Sequence, residues 1–244
     1  MLRFIILYCL FVLTFSYKSI SICPGGLNGF YSLGICKYIK DNYCLDGYKF
    51  YGSSAGSWNA LYLSLPLDDD YYFNEINQIK STKFKDLYHF ENNLKQIIFK
   101  DKNRQQNNNN IKSLTNCNIC FSEFKDYKIE KVIKNRFDDL DDLLECCIAS
   151  SHLPLITNKK IFYIYQNRKC IDGGLFKQNY PSNIKPNLII SHNMFNNTKI
   201  LQNKQMLKYS KTENLNIEKL IYEGYKDAMD HCDYFDGTLN SNKY

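Results

Sequence analysis

The sequence predicts an α/β protein in three layers, helix on sheet on helix, with a mainly parallel central sheet. Three observations lead there. Strand-like and helix-like runs alternate from residue 18 to residue 65. Short apolar strand-like runs return at 160–166, 168–171 and 187–191, and a helical stretch over about 216–235 follows them. The chain of 244 residues, 44% of them hydrophobic, is long enough to bury one substantial core. Alternation of this kind covers a sheet with helices on both faces, and crossovers through a helix make neighbouring strands parallel. No repeat at solenoid periods is visible, so the reading is one domain over 18–236 with a tail at 237–244.

In chain order, Ser19-Ile20-Ser21-Ile22-Cys23 forms the body of a buried strand over 18–23. It runs into Pro24-Gly25-Gly26-Leu27-Asn28-Gly29 and a helix over 29–40. A glycine-rich turn between strand and helix presents consecutive backbone N–H groups as an anion cradle, or simply lets the helix pack close. A dinucleotide fingerprint needs G-x-G-x-x-G and an acidic residue about 20 residues on. The spacing here is G-G-x-x-G and Asp46 falls in a loop, which argues against a nucleotide. The next strand, 48–53, meets Gly52-Ser53-Ser54-Ala55-Gly56 and a helix over 56–65. In a G-x-S-x-G turn the glycines permit a strained strand-to-helix bend, and the helix N-terminus behind it favours negative charge at the serine.

A long helical and polar middle is expected from Leu67-Asp68-Asp69-Asp70 onward. Within it, Gln105-Gln106-Asn107-Asn108-Asn109-Asn110 is low-complexity and reads as an exposed insertion. Asp138-Asp139-Leu140-Asp141-Asp142-Leu143-Leu144 opens a further helix leading to Ser150. Its acids read as a solvated helix start, because a hard-metal loop needs ligands at alternating positions. Later, Lys169-Cys170-Ile171-Asp172-Gly173-Gly174 puts a carboxylate at a strand end before two glycines, a pattern that by itself is an ordinary turn.

Taken together and in this order, the glycine turn, the G-x-S-x-G and the Asp-Gly-Gly resemble the patatin-like phospholipase family. Ala149-Ser150-Ser151-His152-Leu153-Pro154 is similar to that family's A-S-S-x-x-P segment. Asn179-Tyr180-Pro181 resembles its N-x-P, and Glu223-Gly224-Tyr225-Lys226-Asp227-Ala228 its closing helix. The resemblance covers about 18–236 and is weakest over 68–145. It implies a patatin-like fold and a lipid acyl hydrolase with Ser54 as nucleophile and Asp172 as proton acceptor in a Ser–Asp dyad. It also implies an oxyanion hole at Gly25, Gly26 and Leu27, with Gly29, Gly52, Gly56, Gly173 and Gly174 as motif glycines. Neither a metal nor a cofactor is called for. The implied substrate is a phospholipid or neutral lipid at a membrane or lipid surface, with a lid in the variable region 66–115. Two positions depart from the family pattern. Pro24 stands where its loop has a first glycine and has no N–H to donate, and Asn28 stands where it has a basic residue.

Two other readings of the site are open. A Ser–His–Asp esterase has chain order Ser…Asp…His, and only His192 and His231 follow Asp172. His192 ends the strand-like Leu188-Ile189-Ile190-Ser191, where a polar strand-end role competes with a catalytic one. His152 reads as structural, and His89 lies in the variable middle. A catalytically silent lipid-binding member of the same fold is the other reading, motivated by Pro24 and Asn28.

Net charge is +6 with a pI of about 8.6, dispersed along the chain. No dense Lys/Arg block or nucleic-acid module occurs, which argues against DNA or RNA as a partner. The mild basic balance reads as a solvated surface that also suits anionic lipid. After Met1-Leu2-Arg3, the 13 residues Phe4 to Ser16 carry no charge, too short a run for a comfortable span. Residues 1–16 read as a signal peptide, with an uncleaved anchor or a helix lying on the domain as alternatives. A signal would place the protein in the secretory pathway or outside the cell, where Asn196-Asn197-Thr198 is a glycosylation acceptor. Of ten cysteines, Cys9 falls in that segment. The rest read mostly as small buried hydrophobes with room for one or two disulfides, and Cys117-x-x-Cys120 lacks the second pair a zinc site needs.

Overall fold

The computed structural model describes residues 18–65, 114–175, 180–195 and 216–241. The expected leader at 1–16, nearly all of the expected lid region, the low-complexity run, His89, Asn179 and the expected acceptor at Asn196 lie outside them. The elements are β1 (Lys18–Ile22), α1 (Gly29–Asn42), β2 (Tyr43–Cys44), β3 (Tyr48–Ser53), α2 (Ala55–Ser64), β4 (Cys117–Lys125) and β5 (Lys128–Lys134). They continue with α3 (Leu140–Ser150), β6 (Tyr163–Tyr165), β7 (Arg168–Ile171), β8 (Leu188–Ile190), α4 (Ile217–Asp230), α5 (Cys232–Asp236) and β9 (Asn240–Ser241).

The sheet order is β6-β7-β4-β3-β1-β8, with β5 on the outer side of β4. Its heart is the parallel set β8-β1-β3-β4, aligned as Ile20 beside Phe50 and Leu188, and Gly52 beside Ile119. Ser19, Ile20, Ser21 and Ile22 are all buried, as a strand covered on both faces requires. The helices flank this sheet. α1 and α4 cross so closely that a methyl group on Gly34 would sit 2.0 Å from the Ile221 carbonyl oxygen, and one on Gly224 2.0 Å from that of Tyr31. The fold is therefore the expected α/β arrangement with a mostly parallel central sheet.

The described part of the expected helical middle is instead β-structure. β4 and β5 form an antiparallel hairpin, and β7 and β6 extend the sheet antiparallel beyond it. β5 reads Lys-Ile-Glu-Lys-Val-Ile-Lys and lies at an exposed margin, so no continuous apolar run marks it. Its turn is equally disguised. Asp126 and Tyr127 have φ of 49° and 60°, the two left-handed positions of a type I′ turn, without the glycine that usually announces one. Gln166 and Asn167, with φ of 46° and 62°, repeat the device between β6 and β7.

Other differences are smaller. The expected strand 160–166 is confined to Tyr163–Tyr165. The closing helix breaks at His231. Part of the expected tail folds back, Asn240 and Ser241 pairing with Cys44 and Tyr43. Asp139 caps α3 by accepting from the Asp142 N–H at 2.7 Å, whereas Asp142 itself is partly buried 3.1 Å from the Lys134 ammonium rather than solvated. All nine described cysteines are free thiols. Cys117 and Cys120 sit three apart on one strand, on opposite faces of the sheet, and cannot share a metal.

Candidate active site

Two strands aim at one point. β3 runs along one edge of β4 and ends with Ser53 beside Cys120. β7 runs the opposite way and ends with Ile171 beside Ser122. Because β5 occupies the other edge of β4 through this stretch, β3 and β7 share an edge and face each other end to end. The residue following each strand enters the gap between them. There the Ser54 hydroxyl donates to Asp172 Oδ2 at 2.5 Å, with both residues buried.

Ser54 has φ 54° and ψ −129°, a conformation that costs a non-glycine residue about 1–3 kcal/mol. Neighbouring groups hold it. The Ser54 N–H donates to Ser150 Oγ at 2.8 Å, and the Ser150 hydroxyl donates to the Cys120 carbonyl at 2.6 Å. The Ser57 hydroxyl donates to the Ser54 carbonyl at 2.6 Å, tying the first turn of α2 to the bend. The flanking glycines are needed for close approach. A methyl group on Gly52 would lie 2.2 Å from the Gly56 carbonyl oxygen, and one on Gly56 2.3 Å from that of Ile22.

Asp172 is 5% exposed. Its backbone is pinned from two sides, the N–H donating to the His152 carbonyl at 2.8 Å and the carbonyl accepting from the Ser122 hydroxyl at 2.8 Å. Oδ1 accepts from the Gly174 N–H at 2.6 Å, which leaves Oδ2 for Ser54. Burial disfavours the carboxylate and raises its pKa from 3.8 to about 6, while the hydrogen bonds from Ser54 and Gly174 pull the other way.

The glycine turn wraps the same place. A methyl group on Gly29 would meet the Ala55 methyl at 2.5 Å, and one on Gly174 would meet the Pro24 ring at 2.9 Å. The turn therefore touches both the residue after Ser54 and the second glycine after Asp172. Gly26 has φ 51° and opens a short 3-10 turn, in which the Asn28 N–H donates to the Gly25 carbonyl at 3.0 Å. Among the described residues, the N–H groups of Gly25, Gly26 and Leu27 donate to no backbone or side-chain acceptor. Asn28 is fully buried, and Gly173 packs against the Cys120 carbonyl beneath the site.

The three described histidines fall elsewhere. His192 lies two residues past β8, with Nδ1 buried, unpartnered among the described residues and 3.5 Å from where a methyl group on Gly25 would sit. Burial holds its pKa below the usual imidazole range. It borders the glycine turn, whereas the Ser54–Asp172 contact is direct. His231 ends α4, where Nδ1 pairs with the Asp227 carbonyl at 2.8 Å and the ring stacks on Phe195. His152 is buried with Nδ1 2.9 Å from the Thr157 hydroxyl, and its carbonyl serves Asp172.

Sequence reasoning did not single out the bonding roles of Ser57, Ser122 and Ser150. Ser150 lies in the Ala149–Pro154 segment that carried part of the resemblance, which was its only signal. Ser122 sits on a strand the sequence did not reveal.

A mostly parallel sheet flanked by helices, with a serine elbow and a glycine turn meeting at the ends of adjacent strands, has the form of a patatin-like fold. The model of the family described as patatin-like phospholipase matches residues 20–184, and the chain belongs to that family of lipid acyl hydrolases. The match takes in the glycine turn, the elbow, Asp172, most of β1 and the strands from β2 to β7. No curated protein matches the chain.

Proposed function

We propose that this protein cleaves carboxylic ester bonds of phospholipids or neutral lipids through an acyl-Ser54 intermediate, with Asp172 as the only general base. The observation that carries the reading is the 2.5 Å contact between the Ser54 hydroxyl and Asp172 Oδ2. A serine hydroxyl needs a base to take its proton, and here a carboxylate already occupies that position. In the first half-reaction Ser54 Oγ attacks the ester carbonyl carbon as its proton moves to Asp172. The oxyanion rests on N–H groups of Gly25, Gly26 and Leu27, each good donor contributing about 3 kcal/mol. Collapse breaks the ester C–O bond, and the leaving alcohol takes the proton from Asp172. Water then passes a proton to Asp172 while its oxygen attacks the acyl carbon. The fatty acid departs and the proton returns to Ser54.

The raised pKa of Asp172, about 6, supports this role, because a base works best when its pKa lies near the working pH. The direct contact disfavours a Ser–His–Asp mechanism, in which a histidine stands between serine and carboxylate. Lipid would reach the site from a membrane or lipid surface, with 66–115 as its lid, and residues 1–16 would direct the protein into the secretory pathway. The test is hydrolysis of a chromogenic fatty-acyl ester by purified protein beside its Ser54→Ala variant. Release of the chromophore that disappears in the variant is the expected result. A folded wild-type protein with no activity would favour the silent lipid binder, for which Pro24 and Asn28 are the motive.

A further inference from the structure

The outer strands carry a face that the proposed chemistry does not use. Register places Ile164, Lys169, Phe124 and Ile129 side by side in one row across β6, β7, β4 and β5. Residues directly opposite in antiparallel strands project from the same face. Ile164 is 59% exposed and Ile129 47%. Phe124 is half-buried and stacks on Phe162 at 5.1 Å, and the Lys169 ammonium lies 5.9 Å from the Phe162 ring. Tyr127, 95% exposed, stands at the hairpin tip beside this row.

The acidic residues of these strands lie on one face only, whereas basic residues occur on both. The parallel row on the opposite side is Tyr163, Cys170, Glu123 and Glu130. Both acidic residues of the four strands are therefore on that side, where Glu123 pairs with Arg168 at 2.9 Å and the Tyr163 hydroxyl donates to Glu145 of α3. The face bearing Ile129 and Ile164 carries only lysines, Lys169 and Lys131, the latter donating to the Ser182 carbonyl at 3.3 Å. Lys169 is also three residues before Asp172 along β7, about 10 Å at strand spacing.

We infer that this face docks on an anionic lipid bilayer. Contiguous exposed apolar surface marks an interaction site. A row of isoleucine and aromatic side chains suits the boundary between head groups and acyl chains, while Lys169 reaches back to lipid phosphates. A basic residue near such a surface tightens binding about five-fold. A second copy of the chain fits less well, because a two-fold contact would bring lysine-bearing faces of one sign together. Docking here brings the end of β7, which Asp172 follows, close to the surface from which substrate comes. In purpose the inference rests on the proposed lipid hydrolysis, but the binding itself does not require it.

The test is flotation of the Ser54→Ala protein, which cannot consume the lipid, with vesicles of phosphatidylcholine alone or mixed with phosphatidylglycerol. Binding is expected to be stronger to the mixed vesicles. Ile129→Glu/Ile164→Glu should weaken it at least about ten-fold and Lys169→Glu several-fold, while Glu130→Gln on the opposite face leaves it unchanged. If the double variant fails to fold, the exposed Lys169→Glu change carries the test alone. Undiminished vesicle binding in these folded variants overturns the inference. So does a dimer that the double variant converts to monomer, by light scattering, with vesicle binding intact. Hydrolysis of a short water-soluble ester by the same variants in the Ser54 background separates the two ideas. Activity kept with vesicle binding lost supports the docking face, and no activity with face-dependent binding removes only the hydrolase reading.

Discussion

Ser150 and Ser54 are joined across 96 residues of chain, the Ser150 hydroxyl accepting from the Ser54 N–H while donating to the Cys120 carbonyl. One buried hydroxyl thus ties the strained bend of the nucleophile to the strand it passes. Ser150→Ala leaves a buried donor and a buried acceptor unpaired, which costs about 1–3 kcal/mol of stability per group. The elbow should also loosen, so turnover is expected to fall about ten-fold with little change in KM. Thermal melts beside steady-state kinetics check this, and a change in KM alone would point to substrate binding instead.

Ser54→Ala and Asp172→Asn should each lower turnover at least about a thousandfold in folded protein, and the double variant should be no worse than either. Members of one catalytic unit lose most of their effect together. Independent, multiplying losses would mean that the two residues serve different steps.

Activity should depend on the ionisation of Asp172. Its pKa is raised to about 6, and only the carboxylate accepts a proton from Ser54. The rate at limiting substrate should therefore fall below that pH and level off above it, a single acidic limb. A limb centred near the ordinary aspartate value would show that burial does not hold the carboxyl up.

The same shift has an opposite consequence for stability. Between 3.8 and about 6 the folded protein binds a proton at Asp172 that the unfolded chain has released, so stability falls as pH rises through that window. The full penalty, about 3 kcal/mol for some two pKa units, is present above it. Asparagine escapes that penalty and still accepts from the Gly174 N–H through its carbonyl. Asp172→Asn should therefore gain in melting temperature over the wild type on going from about pH 4 to about pH 7.5. A constant difference across that range would remove the buried-charge account.

Much of this site was legible because each part has a local mark. Gly52 to Gly56 follows a strand and precedes a helix, Gly25 to Gly29 does the same, and Asp172 ends an apolar run. The parallel strands announce themselves by short apolar runs around Ile20 and Ile22, Phe50, and Leu188 and Ile190, all of them buried. The outer hairpin did not, because Lys128 to Lys134 mixes lysine with isoleucine and its turn uses Asp126 and Tyr127 at left-handed positions. The supports of Ser54 and Asp172 were hidden for another reason. Ser122 and Ser150 act through hydrogen bonds that span 50 and 96 residues, and no spacing in a single chain reveals which distant carbonyl or amide a serine will meet.

Replacing a histidine distinguishes one base from a relay. His192 borders the glycine turn, and its buried Nδ1 has no hydrogen-bond partner among the described residues. In a triad, a histidine would sit between Ser54 Oγ and a carboxylate, and its loss would cost about as much as loss of the serine. Here Asp172 meets Ser54 directly, so His192→Ala and His231→Ala should each keep most of the activity. The His192 change should also be mild for stability, since removing an unpaired buried nitrogen relieves a desolvation cost that partly offsets the lost packing. His231 pairs with the Asp227 carbonyl at the end of α4, so its loss should lower stability by about 1 kcal/mol without touching chemistry. The measurement is turnover with melting curves for both variants beside Ser54→Ala. A His192→Ala protein with an unchanged melt and the activity of Ser54→Ala would make the histidine the base, and Asp172 the residue that orients it.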